Sequence, residues 1–342
     1  MEAILQRWSE HFEGLFSDRC NVQESSLAKV PQVDVKLELD DPPTREEIKK
    51  TTMQLNVGKS PGIDGIPAEV YQHGGEAVLD KLQDLFTNCW EKGTLPQDLR
   101  DAVIVSLYKN KGEKSDSSNY RGITLLSIAG KILARVLLNR LIPTIARENT
   151  PESQCGFRSN RGTVDMVFVL RQTQKKCREQ NIGLYAAFVD LTKVFDTVSR
   201  DGVWKILARL GCSHQFLTIL CQLHEGQQGQ VKHNGSLSGS CHLSNDVKQG
   251  RVLAPTLFSI FLSIMLREAK EDLPDGIYIR FQTDGSLLNL ARTKTIEELT
   301  TELLCADDCA ILTHTEEALQ HIINRFTDAA KNFGTNLTCI YP

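Results

Sequence analysis

At 342 residues, with 41% hydrophobic and 24% charged side chains, the chain has the makeup of a globular protein large enough to bury a sizeable core. The formal charge of −4 excludes a uniformly basic nucleic-acid binder, yet the average conceals a gradient: residues 100–178 carry 15 Lys/Arg against 6 Asp/Glu, and residues 1–50 carry 7 against 11. The ten cysteines form no CxxC pair and no zinc-type spacing, residues 1–16 lack the apolar core of a signal peptide, and the longest apolar segment, 252–266, is about 15 residues, too short for a membrane span. The setting expected from these features is intracellular, in cytoplasm or nucleus, with neither secretion nor membrane insertion.

In chain order, residues 1–17 have amphipathic helical spacing, and 18–43 form a polar connector with little periodicity. Thr44-Arg45-Glu46-Glu47 is a capping box that opens a helix running to Gly58. A turn-rich loop, 59–65, precedes a short helix from Pro67 and a longer one over 75–90, where Val78, Leu82, Leu85, Phe86 and Cys89 share a face. Residues 102–107 form a β run, followed by the cationic loop 109–114 and an extended segment, 120–125. Residues 128–147 are strongly helical, with Ile132, Val136, Leu137, Leu141 and Ile145 facing inward and Arg135, Arg140 and Arg147 elsewhere. A second cationic loop, 154–162, leads into a helix over 163–180.

The run 184–190 is continuously apolar and closes on Asp190, the pattern of a strand buried on both faces. Helices follow over 199–211 and 213–225, then a hairpin, 229–234 and 240–247, about Asn234-Gly235. An apolar helix is expected over 249–269 and a strand over 276–281. Residues 303–312 are two short apolar runs flanking Asp307-Asp308, which is the pattern of a β-hairpin with the carboxylates at its tip. A last helix spans 316–333. Helices and strands are mixed, with helix pairs between strands and no internal repeat, so the fold class is α+β rather than doubly wound.

Asp190 at a strand end and Asp307-Asp308 at a hairpin tip share one chemical requirement. Clustered carboxylates resist ionising together unless a cation is present. Magnesium takes hard oxygen ligands and shares substrate phosphates, and two such ions about 4 Å apart serve both oxygens of a phosphoryl transfer.

The wording around these residues is more specific. Phe188-Val189-Asp190-Leu191-Thr192-Lys193-Val194-Phe195-Asp196 resembles motif A of reverse transcriptases, in the FxDxxKAFD form of LINE-type non-LTR retrotransposons. Residues 247–258, beginning Val247-Lys248-Gln249-Gly250-Arg251, resemble motif B, and Cys305-Ala306-Asp307-Asp308 resembles motif C. Upstream, Ser60-Pro61-Gly62-Ile63-Asp64-Gly65-Ile66-Pro67, residues 119–126 and Gln154-Cys155-Gly156-Phe157-Arg158 resemble the family's finger motifs in the same order. The resemblance extends over residues 1–340.

It implies a right-hand polymerase: an N-terminal extension (1–43), fingers with the start of the palm (44–183), and a palm (184–342) whose antiparallel sheet is backed by helices. It implies RNA-directed DNA polymerase activity with two Mg²⁺ ions, replaceable by Mn²⁺, held by Asp190, Asp307 and Asp308 as catalytic and metal-binding residues. Phe195 would lie under the sugar, where a ring collides with a ribose 2′-OH; Gln249 and Gly250 would lie beside the incoming nucleotide. Arg121 would clamp the triphosphate together with Lys109 or Lys111, a choice the sequence leaves open. Arg158 and Arg161 would meet backbone phosphates. The partners implied are an RNA template, a DNA primer and dNTPs.

Four departures bear on activity. Cys305 replaces the aromatic before Ala-Asp-Asp, Arg251 replaces a small residue, Val194 replaces Ala, and the chain ends at Pro342 just inside motif D, with the thumb expected to be missing and no endonuclease before Met1. The alternative to a polymerase is therefore a catalytically inactive retrotransposon relic that keeps RNA binding. A palm-fold cyclase or nuclease would need neither Gln249-Gly250, Phe195 nor Arg121.

Overall fold

The computed structural model describes residues 6–8, 10, 21–190, 198–233, 235–243, 252–271, 277–282, 295–300, 302–306, 308–335 and 338–340. In chain order its strands are β1 (Ala102–Tyr108), β2 (Tyr120–Leu126), β3 (Tyr185–Asp190), β4 (Gln227–His233), β5 (Ser236–Leu237), β6 (Cys241–Leu243), β7 (Ile277–Gln282), β8 (Thr295–Thr300), β9 (Glu302–Cys305), β10 (Asp308–Thr313) and β11 (Thr338–Ile340). The chain divides into two compact units, each discontinuous in sequence: Met1–Asn149 with Phe195–Phe261, and Thr150–Val194 with Leu262–Pro342. No helix among the described residues is long and apolar enough to cross a membrane.

The first unit joins a mixed sheet to a helical core. β1 pairs antiparallel with β2 and parallel with β4, which also carries β5 and β6 antiparallel. The Ile128–Leu141 helix is capped by Ser127, whose Oγ accepts the Gly130 N–H at 3.1 Å, and it buries Ile132, Leu133, Val136, Leu137 and Leu141. The helical spacing expected to Arg147 continues through Ile142–Ala146 as a π-helical segment. Pro143 explains the change, because it has no N–H and its ring crowds the carbonyl four residues back. At Gly62 the loop 59–65 passes so close to Ser127 that a Cβ would lie 2.5 Å from the Ser127 nitrogen, which only glycine permits.

The described part of the connector, 21–43, holds more regular structure than its composition suggests. It holds a short helix, Glu24–Lys29, and a 3₁₀ turn, Leu37–Leu39, and it buries Leu27, Val30 and Leu39. Polar ties to the helices fix it: Trp90 Nε1 donates to the Asp40 carbonyl at 2.7 Å, and Arg209 Nε donates to that of Val30 at 2.9 Å.

Arg140 carries the most of these ties. Its Nε and Nη2 each donate to Glu47 at 2.6 Å, and it also donates to the carbonyls of Asp41 and Pro42. Glu47 meanwhile completes the capping box expected from sequence, accepting the Thr44 N–H at 2.8 Å. Burial by itself would raise the Glu47 pKa, but the Arg140 guanidinium and the Thr44 N–H hold it below the usual carboxylate range.

The second unit is built on the antiparallel sheet β11-β3-β10-β9. The Thr163–Glu179 helix packs on one face, where Cys177, Leu303, Ala310 and Leu312 cluster with Met166, Val169, Leu170, Leu184 and Ala186. The Glu316–Asn332 helix, capped by Thr315, buries Ile322, Ile323, Phe326, Ala329 and Ala330 and packs on β3 and β10. β10 is the strand buried on both faces, from Cys309 to Thr313. For β3 that expectation is corrected: Ala187 and Val189 are buried, but Phe188 is 50% and Tyr185 42% exposed. Its apolar run is continuous in sequence, yet its helical cover on the Ala186 side stops short of Phe188.

The remaining differences from sequence are local. β7 is the strand expected over 276–281, and its antiparallel partner β8 was not foreseen. The hairpin after Gln227 splits its return into β5 and β6. The apolar helix is Ala254–Ala269, and its expected start at 249–251 lies outside the described residues, as does most of 1–17.

Two predictions follow from the Arg140–Glu47 tie. Arg140→Ala strands a half-buried carboxylate and two carbonyls, so it should destabilise the first unit by about 2–3 kcal/mol, read from urea denaturation midpoints. Because the Glu47 pKa is depressed in the folded chain, this tie contributes fully above the ordinary value of 4.5 and fades as pH falls through the lower folded value. Glu47→Gln should therefore flatten the acid limb of the stability–pH curve.

Candidate active site

The carboxylate hairpin is the strand pair β9–β10, in which Cys305 opposes Asp308, Leu304 opposes Cys309 and Leu303 opposes Ala310. β10 in turn pairs with β3 so that Asp308 stands opposite Asp190, the last residue of that strand. β11 brings Thr338 to the other side of Asp190. Strand parity puts positions 186, 188 and 190 on one face, together with their partners Leu312, Ala310 and Asp308. The Thr163–Glu179 helix covers that face around Ala186 and Leu312; beyond it come half-exposed Phe188 and then the two aspartate positions. Asp308 is exposed, while the Asp190 side chain and the whole of Asp307 lie outside the described residues.

Like charges directly opposed across strands destabilise a sheet. The donor chemistry of this pair, hard carboxylate oxygens at adjoining strand ends, fits a divalent cation such as magnesium. Among the described residues no group of three His, Cys, Asp or Glu side chains could hold a metal, but that set omits the Asp190 side chain and Asp307.

A second segment underlies the hairpin. Residues 153–155 run parallel to β9, with the Leu304 N–H donating to the Ser153 carbonyl at 3.0 Å and the Cys155 N–H to that of Leu304 at 2.8 Å. Ala306, the first residue after β9, has φ +60°, a left-handed conformation that costs a non-glycine residue about 1–2 kcal/mol. The fully buried Gln154 meets it directly: Gln154 Oε1 accepts the Ala306 N–H at 3.0 Å and the Gly156 N–H at 2.8 Å. Gly156 presses so close that a Cβ there would lie 2.1 Å from the Ala306 nitrogen. At the outer end of β9, buried Glu302 pairs with Lys270 and accepts a hydrogen bond from Ser153 Oγ at 3.2 Å. The sequence signalled the Gln-Cys-Gly-Phe-Arg loop only as a motif, and the role of Gln154 had no local signal, because its partner lies 152 residues away.

The cationic residues divide by environment. Arg158 donates to the Pro151 carbonyl at 3.0 Å and pairs with Glu152 at 3.1 Å; Arg161 pairs with the other oxygen of Glu152 at 2.8 Å. Glu152 was missed from sequence, where the loop counted only as basic. Cys155 beneath this loop has its pKa raised by burial, against the opposing pull of Arg161.

In the first unit, Lys109 and Lys111 are both exposed on a loop shaped by its own bonds. Tyr108 Oη donates to the Gly112 carbonyl at 2.5 Å, Asn119 Nδ2 to that of Glu113 at 3.0 Å and Tyr120 Oη to that of Lys114 at 3.0 Å. Asn110 and Gly112 take positive φ there, as tight turns require. Arg121 lies on β2 opposite Leu107, its side chain outside the described residues. Phe195, Gln249 and Gly250, with the departures Val194 and Arg251, also fall outside them. Cys305, the remaining side-chain departure, is half-buried.

Residues 109–338 match the family model described as "Reverse transcriptase (RNA-dependent DNA polymerase)". Among similar curated proteins, the RNA-directed DNA polymerase from mobile element jockey of Drosophila melanogaster is 27% identical over 301 residues, covering 86% of this chain and 30% of that protein. The transposon TX1 uncharacterized 149 kDa protein of Xenopus laevis is 28% identical over 271 residues, 78% of this chain and 20% of its own length. The chain thus spans less than a third of the curated relatives named here. With the matched region holding both Asp190 and the Ala306–Asp308 hairpin, the chain belongs to the reverse transcriptase family, as a reverse transcriptase domain of the non-LTR retrotransposon kind.

Proposed function

We propose that this domain adds deoxynucleotides to a primer 3′-OH on an RNA template, with Asp190, Asp307 and Asp308 as its catalytic carboxylates. The observation that carries the reading is the β3–β10 register, which sets Asp190 opposite Asp308 at the open end of a face otherwise packed under a helix. Two divalent ions, when bound, would stabilise the attacking and leaving oxygens of an in-line phosphoryl transfer. Asp190, Asp307 and Asp308 would hold them, and the rigid sheet would fix the carboxylate spacing. In this reading residues 184–342 form the palm and 44–183 the fingers, a functional division distinct from the division by contacts. Phe195, Gln249 and Gly250 would shape the nucleotide pocket, and Phe195 would select against a ribose.

The ordered loop 109–114 supports phosphate binding, since it presents exposed lysines on a backbone that needs no further ordering. Lys109 or Lys111 would act there with Arg121. Arg158, tied to two backbone carbonyls and Glu152, would contact nucleic acid mainly by ordering its loop, whereas the more exposed Arg161 would exchange Glu152 for a phosphate. The excess of cations over residues 100–178 favours a nucleic-acid groove on a chain that is acidic overall.

A second reading, a fold that binds RNA without turnover, is favoured by Cys305 at the position of an aromatic beside the carboxylates. Primer extension on a homopolymer RNA template, with Mg²⁺ or Mn²⁺, separates the two. Incorporation abolished by Asp190→Ala and by Asp307→Ala supports the polymerase; incorporation that survives either change sinks it. RNA binding without metal and without incorporation supports the second reading. Of Lys109→Ala and Lys111→Ala, the one that raises the KM for dNTP identifies the phosphate contact. Arg161→Ala should lower the salt slope of RNA binding by about one.

A further inference from the structure

The hairpin that carries Asp307 and Asp308 turns through Ala306, and its left-handed φ of +60° is one that an alanine does not choose for itself. The two-residue loop between paired Cys305 and Asp308 asks for a positive φ at its first position, which glycine or asparagine takes with little strain and alanine does not, so contacts that steady Ala306 from outside the hairpin carry weight. Three contacts of one buried side chain meet there: Gln154 Oε1 accepts the N–H groups of Ala306 (3.0 Å) and Gly156 (2.8 Å), and Gln154 Nε2 approaches the Ala306 carbonyl at 3.4 Å. The two N–H donors settle which end of the carboxamide is oxygen.

The arrangement continues a ladder. Ser153 and Cys155 exchange backbone hydrogen bonds with Leu304, and just past the end of β9 the Gln154 carboxamide stands in for a peptide group, meeting both backbone groups of Ala306. A carboxamide offers a donor and an acceptor on one planar group, as a peptide does. An apolar side chain would leave the Ala306 N–H without its partner, and a carboxylate would set an oxygen against the Ala306 carbonyl. Gly156 closes the mould from below, since any Cβ would collide with the Ala306 backbone.

We propose that Gln154 is a positioning residue for the carboxylate hairpin: its carboxamide, bonded to the backbone of Ala306, steadies the left-handed turn that leads into Asp308, which stands opposite Asp190. The inference rests on the carboxylates binding divalent metal, and its consequence is for metal affinity rather than for packing. Partners that orient metal ligands are typically worth about 10–100-fold in affinity.

The test uses the full chain and two readings that need no turnover. Amide hydrogen exchange follows the Ala306 N–H, with the Cys309 and Ile311 N–H groups inside the sheet as controls, and water-proton relaxation titrates Mn²⁺. Gln154→Ala should lower protection at Ala306 at least about tenfold, leave the controls unchanged, and raise the Kd for Mn²⁺ about tenfold or more. Should Gln154→Ala lose the sheet, the similarly sized and uncharged Gln154→Met decides by the same two readings. Unchanged protection at Ala306, or lost protection with Mn²⁺ affinity within about twofold of wild type, overturns the inference. A wild-type chain whose Mn²⁺ binding is absent, or indifferent to Asp190→Asn, instead overturns the reading of the carboxylates as a metal site.

Discussion

The pairing of β3 with β10 is the constraint on which the candidate site depends. Its register is set by the apolar pairs that lead up to the aspartates, Ala186–Leu312 and Phe188–Ala310 on one face and Ala187–Ile311 and Val189–Cys309 on the other. A slip of one residue would carry every side chain of a strand to the opposite face, taking Leu312 out of the cluster with Cys177 and Leu303. The hydrophobic pattern thus enforces an opposition of like charges that the aspartates alone would avoid. Burial of β10 on both faces makes the register rigid, while Phe188 near the end of β3 is half exposed.

Around this ladder the second unit is tied by a few polar contacts of long sequence separation. The Ser153–Cys155 segment reaches β9 across 150 residues, and Glu302 answers both Ser153 and Lys270. The Glu302 carboxylate is buried, so it needs these partners in place; removing one leaves it desolvated and less well satisfied. The first unit follows the same rule in another setting. Glu47 serves at once as the capping carboxylate of its own helix and as the acceptor for Arg140, which also holds the chain at Asp41 and Pro42. A polar connector with little periodicity becomes ordered because its backbone carbonyls are used as hydrogen-bond acceptors.

Much of the fold was legible in the sequence wherever one short-range rule decided the outcome. The capping box at Thr44, the helix face through Val136 and the Cys305–Asp308 hairpin follow from spacing and turn chemistry, and the structure has them; the face through Leu82, Phe86 and Cys89 is there too, completed by Leu79 and Trp90 rather than by Val78 and Leu85. Where two rules compete, the local pattern does not decide the outcome. Pro143 turned the end of a continuous helical pattern into a π segment, and β3, apolar throughout, is half uncovered because exposure depends on how far the preceding Thr163–Glu179 helix reaches along it. The cationic loop at 154–162 was seen as charge, but its arginines spend part of that charge on Glu152, two residues before it.

What the sequence by itself determined is the chemistry on offer: carboxylates at a strand end and a hairpin tip, lysines in a glycine-marked loop, and an order of motifs that a reverse transcriptase shares. These are local properties, carried by residue type and spacing. What only the tertiary structure decided is which of these groups stand together and what holds them. The opposition of Asp190 and Asp308 is a property of strand pairing over 118 residues, and the grip of Gln154 on Ala306 is one of chain crossing over 152. Neither leaves a periodic trace, because hydrogen bonds between distant segments are satisfied by geometry rather than by sequence pattern.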